Sequence, residues 1–154
     1  MNDSLQDEKT RLLELLGEET ELFERIYKLT QKQAELLAAD DDDISAFNNS
    51  LDSRQELIER IKGLHQESDP LMQSCMFMAN STDRNSIEVI EKVVAQRQAV
   101  IEKCVVLNDK NTAAAKEKSE VFTKRIGKLS LSRKSIKVYT PDIPNKPELF
   151  DKKT

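Results

Sequence analysis

The chain has 154 residues, 34% charged and 38% hydrophobic, with 3 Gly, 4 Pro, no Trp and a formal net charge of -4. That length predicts a single domain, and so little Gly and Pro beside much Leu, Glu, Lys, Gln and Ala leaves scant material for a sheet. The acidic balance argues against a dedicated nucleic-acid binder, and no run of about 18 apolar residues is present to span a membrane.

Met1 leads into Asn2, Asp3 and Ser4 with no basic or apolar leader, so no signal peptide is expected and the chain reads as cytoplasmic. Helix 1 is predicted from about Leu5 to Ala39, with Asp3 or Ser4 as its cap. Leu15, Leu22, Leu29 and Leu36 are seven apart, with Leu12 and Ile26 on a neighbouring row and Leu16, Phe23 and Leu37 on another. So wide an apolar face suits packing against more than one helix. Glu19 and Gln33 intrude on it, as exposed or inter-helix polar positions.

Asp40 to Asp43 reads as an acidic hinge whose last carboxylates cap the next helix. A calcium loop needs alternating ligands, a central Gly and a distal Glu, and the pattern is missing. Helix 2 is predicted from about Ile44 to His65, on a stripe of Ile44, Phe47, Leu51, Arg54, Ile58, Ile61 and His65. Ser68-Asp69-Pro70 should break or restart it. The segment from Leu71 to Met78 then reads as a short helix, covering the bundle end or offering an adaptable Met-rich partner surface. Asn80 to Asp83 reads as loop and cap.

A third helix, from Asp83 to about Leu131, is the one around which the others should be arranged. Ile87, Ile90, Val94, Ile101, Cys104, Ala115, Phe122 and Leu129 follow a period near 3.5, with Val93, Val100, Leu107, Ala114 and Val121 alongside. At about 1.5 Å per residue the three helices would be roughly 50, 33 and 70 Å long, so part of the third should project with an uncovered apolar stripe. Residues 132–154 carry Pro141, Pro144 and Pro147, with 6 bases against 3 acids, and read as a flexible tail with a short extended stretch at Ile136 to Tyr139. The expected architecture is all-α: an elongated antiparallel bundle of three long helices plus a short one over residues 1–131, then an irregular tail. Charge is polarised, with 13 acids and 5 bases in residues 1–44 but 9 bases and 2 acids in residues 110–137. An antiparallel first and last helix would bring these ends together, and a parallel pair would keep them apart.

Chemistry is hard to place. Cys75 and Cys104 sit among apolar neighbours and read as buried thiols in a reducing compartment. His65 is the single histidine. Phosphotransfer there would place Glu67 and Asp69 beside a phosphorylated nitrogen, so a surface or helix-end histidine fits better. One His, no Gly-rich elbow and no phosphate loop predict no enzyme, no cofactor and no metal site. The basic end of helix 3, from Lys116 to Lys137, reads as a solvated face that also pairs with an acidic partner.

Over nearly its whole length the sequence resembles FlgN-type flagellar export chaperones, and it shares some of the pattern of the related FliT type. The resemblance rests on the Leu-rich first helix and on LTQKQAELLAADDDDISAFNNSLDSRQELIERI, where an acidic turn leads to the run Arg54 to Ile58. It continues in the long third helix and the basic SRKSIKVYTP segment. It implies a cytoplasmic type III secretion chaperone that holds the C-terminal helical segments of hook–filament junction proteins and delivers them to the export gate. Carried onto this chain, the client face would be Val121, Phe122, Ile126 and Leu129, and Tyr139 would dock at the gate. The alternatives are a self-associating coiled-coil adaptor and a FliT-like chaperone for the filament cap protein.

Overall fold

A computed structural model of the chain describes residues 2–39, 44–82 and 84–118. Among them there are three helices and no strand: α1 (Asn2–Ala38), α2 (Ser45–Thr82) and α3 (Arg84–Lys118). With 37, 38 and 35 residues, each is about 52–57 Å long. Three apolar clusters stack along the bundle. Leu12 and Leu16 pack with Met72, Cys75, Met76 and Ile90 at one end. Leu22, Phe23 and Ile26 meet Leu57, Ile58, Ile61, Val100, Ile101 and Cys104 in the middle. Leu37, Phe47, Leu51 and Ala115 close the other end. Consecutive helices are therefore antiparallel, and α1 runs parallel to α3.

Every helix buries a 3-4 stripe. On α1 it is Leu12, Leu16, Glu19, Phe23, Ile26, Thr30, Gln33 and Leu37; on α2 it runs from Phe47 through Leu51, Arg54, Ile58, Ile61, His65, Ser68 and Met72 to Cys75. On α3 it is Ile90, Arg97, Ile101, Cys104, Asn108, Asn111 and Ala115, with Val94 half-buried between the first two. A sustained heptad holds such a seam against its neighbours by slight supercoiling. Beyond these stripes α1 buries Leu15 and Leu22, α2 buries Ser50, Leu57 and Met76, and α3 buries Val100; α1 packs more closely against both other helices than α2 and α3 do against each other. The organising helix is thus α1, not the third.

Several expectations are corrected. Helix 2 does not stop at Ser68 to Pro70: α2 runs through Pro70 to Thr82, so the short fourth helix is its last third. A mid-helix proline costs about 3 kcal/mol in lost hydrogen bonding and ring clash. Burial of Met72, Cys75 and Met76 against α1 and α3, at about 1.5–3 kcal/mol for a large side chain, outweighs it. The Met-rich segment is mainly core, although Phe77 within it is 79% exposed. Ile44 lies outside α2 and is exposed, whereas His65 is buried mid-helix rather than on the surface. Since α1 and α3 are parallel, the acidic start of α1 and the basic end of α3 lie at opposite ends. The predicted continuation to Leu131 and the tail at 132–154 lie outside the described residues, as does Asp40 to Asp43.

Candidate functional site

Two polar layers separate the three apolar clusters. In the first, Glu19 of α1 meets Arg97 of α3 (Oε1 to Nη1, 3.2 Å) and His65 of α2 (Oε1 to Nδ1, 3.6 Å). Glu19 and Arg97 are 1% and 3% exposed. Burial pulls the Arg97 guanidinium below its ordinary range, and Glu19 partly restores it. Half-buried Asp69 stands 3.9 Å from His65 Nε2. In the second layer Arg54 Nη1 donates to Gln33 Oε1 (2.8 Å) and Asn108 Oδ1 (3.0 Å), joining all three helices. Burial lowers the Arg54 pKa to about 10. Asn111 Nδ2 donates to the Thr30 carbonyl at 2.9 Å. Among the described residues, Glu19 Oε2, Gln33 Nε2 and Arg97 Nε meet no hydrogen-bond partner.

These polar layers join all three helices. Ser68 Oγ lies 3.5 Å from His65 Nδ1, and Glu19 addresses that same nitrogen. Ser68 is 1% exposed and His65 4%, so no substrate reaches either. The thiols of Cys75 and Cys104 are buried, and desolvation raises both, Cys104 to about 12. Thiolate chemistry is suppressed there. An open depression between α1 and α2 is lined by Glu18, Glu21, Arg25 and Arg60 together with Leu22, Gly63 and Leu64, and presents both charges to water. Among the described residues no group of His, Cys, Asp and Glu is arranged to hold a metal.

The end of α3 is placed more tellingly. Ala115 is fully buried with Leu37, Phe47 and Leu51, and Lys118 Nζ donates to the Ala39 carbonyl at 3.0 Å. A lysine there meets the unsatisfied carbonyls and negative dipole end of α1. Residues 115, 122 and 129 are seven apart, so Phe122 and Leu129 continue the register in which Ala115 is buried. Val121, Phe122, Ile126, Leu129 and Tyr139 all lie outside the described residues. The candidate client face therefore begins, in sequence, three residues after the end of α3 at Lys118.

Compared with known protein families, residues 1–146 match the FlgN protein family. The chain belongs to the FlgN family of flagellar export chaperones. No curated protein and no solved structure matches it. No described helix of this FlgN-family chain is long and apolar enough to cross a membrane. What sequence reasoning missed is the polar share of the core. Arg97, Asn108 and Asn111 belong to the buried stripe, and the available signal was the heptad: each fills a position that the 3-4 spacing reserves for the seam.

Proposed function

We infer that the chain is a cytoplasmic export chaperone that holds hook–filament junction proteins by their C-terminal helical segments and delivers them to the type III export gate. The client face is Val121, Phe122, Ile126 and Leu129, and Tyr139 is the contact for the gate. Residues 1–131 form the helical body of the chaperone, and residues 132–154 its tail. It works without catalysis or cofactor, by reversible cover of an apolar helical surface that would otherwise aggregate before assembly.

One observation carries this reading. Lys118 Nζ reaches the Ala39 carbonyl at the end of α1, and the seven-residue spacing from buried Ala115 leads on in sequence to Phe122 and Leu129. An amphipathic stripe offered to a client helix is the groove-and-helix geometry used for peptide recognition. The family membership supplies the class of cargo.

The test is co-expression with the hook–filament junction proteins, followed by size-exclusion chromatography with mass determination. A discrete complex is expected, lost on deletion of residues 115–139. Phe122→Ala should weaken client binding by about 1–3 kcal/mol as a central anchor. An unchanged affinity by titration would remove Phe122 from the interface, and no complex with any junction protein would sink the assignment of cargo.

A further inference from the structure

We propose that the outer face of α1 docks a second copy of this chain, and that the two α1 helices pair antiparallel there through a charge pattern that is its own complement. The inference goes beyond the client reading and does not depend on it.

The pattern lies along one stripe of α1. Glu14, Glu18, Glu21, Arg25, Lys28 and Lys32 are all exposed, at spacings of 4, 3, 4, 3 and 4 residues. Such spacing keeps them on one side of a helix, away from the buried row of Leu12, Leu16, Glu19 and Phe23. The acids come first and the bases second. They are also placed symmetrically: Glu14 and Lys32 stand nine residues either side of Phe23, Glu18 and Lys28 five, and Glu21 and Arg25 two. A twofold rotation that reverses α1 about the level of Phe23 therefore sets each acid beside a base of the second copy. Arg11 and Glu35, twelve residues either side, continue the match with the signs exchanged. A parallel pair would set acid against acid, so the charges fix the direction as well as the register.

Within one copy most of these charges go unanswered. Arg11 holds Glu14 and Glu67. Among the described residues, Glu18, Glu21, Arg25, Lys28, Lys32 and Glu35 make no ion pair. Pairing exposed ions between copies leaves most of their water in place, and each pair multiplies the association constant by up to about fivefold. The twofold axis makes every pair occur twice.

The centre of the stripe is shaped to receive a second copy. An open depression of about 420 Å³ lies there between α1 and α2. The contacts of Glu19 with His65 and of Gln33 with Arg54 set the register of the two helices, which puts Arg60 level with Arg25 and Gly63 level with Glu21. One end of the depression is thus basic and the other acidic, with the twofold axis between them. Rotation about that axis brings Arg60 to Glu18 and Glu21 of the second copy, and lays Arg25 of the second copy over Gly63. A Cβ on Gly63 would meet nothing within 4 Å, so this space is open to an incoming side chain. Leu22 and Leu64 line the same depression and offer apolar surface to the arginine stems.

The experiment uses the full chain in low-salt buffer. Analytical ultracentrifugation from one to several hundred micromolar chain should show a shift from 17.6 kDa to twice that mass. Half-molar sodium chloride, where the screening length is about 4 Å, should undo it. A water-soluble carbodiimide joins a carboxylate directly to a lysine amine. Peptide mass spectrometry of the doubled-mass band should find Glu14 joined to Lys32 and Glu18 joined to Lys28. Within one α1 those pairs are about 27 and 15 Å apart, so such links form only between copies. A chain that stays at single mass at every concentration overturns the proposal, as does a dimer that lacks these links or that salt leaves intact. Charge exchange tests the register. Lys28→Glu with Lys32→Glu should raise the dimer Kd at least ~tenfold, and so should Glu14→Lys with Glu18→Lys. All four side chains are exposed, so circular dichroism should show unchanged helicity. Mixed together, the two variants again set acid beside base at every level, and a heterodimer should form. Variants that dimerise as tightly as the parent, or that fail to pair when mixed, reject this face. Should either variant fail to fold, the links in the unaltered chain decide.

Discussion

Glu19 and Arg97 lie opposite each other with almost no exposure to water, and that fact sets the value of each. Taking two charges out of water costs several kcal/mol per ion, and their attraction only roughly repays it. Such a pair adds little net stability but punishes its own disruption. Arg97→Ala should destabilise the fold by about 3 kcal/mol, because it leaves a buried carboxylate with only His65 nearby. Urea unfolding would measure it. The double variant Glu19→Gln with Arg97→Met should cost less than Arg97→Ala alone, and a strictly additive result would show the pair to be uncoupled. The heptad that holds these residues was legible; their burial was not, since charged residues almost never enter a core unless paired, and the pairing joins positions 78 residues apart.

At the scale of the element, α2 carries two departures from helix preference and survives both. Gly63 sits in its interior, and a Cβ there would meet nothing within 4 Å. Gly63→Ala should therefore stabilise the fold by about 0.5–1 kcal/mol, through reduced backbone entropy of the unfolded chain. A loss of stability in thermal or urea unfolding would show that the site is tighter than it looks. Pro70 is the larger departure. Replacement with Ala restores one backbone donor and removes the ring clash, so a gain of about 1–3 kcal/mol is expected. Proline was read as a boundary because the local rule is strong. It failed here because Met72, Cys75 and Met76, immediately beyond it, are buried against α1 and α3, and tertiary burial outweighs one broken turn.

For the whole molecule the asymmetry of packing matters most. α1 packs closely against both other helices, and α2 and α3 approach each other less closely. A fragment of residues 45–118 therefore keeps little of the core, since Leu12, Leu16, Leu22, Phe23, Ile26 and Leu37 are gone from all three clusters. It should melt without a cooperative transition by circular dichroism. A sharp melt would show α2 and α3 to be a stable pair and would remove α1 from its central role. The same arrangement bears on function: α1 ends level with Lys118, and the client face is expected just beyond that point.

The all-α class, the wide face of α1 and the family were all readable along the chain, because heptad spacing, low Gly and Pro content and the FlgN-type pattern are local or one-dimensional signals. The 3-4 stripe of α2 was likewise visible from Phe47 to His65. Three things waited for the tertiary structure. Helix α2 continues through Pro70; Arg97, Asn108 and Asn111 join the core; and α1, rather than the third helix, holds the other two. The reason is the same each time. A position's burial depends on what stands across from it, and the partners of Arg97, Asn111 and Met72 lie far away in sequence, on a helix whose place no periodicity specifies.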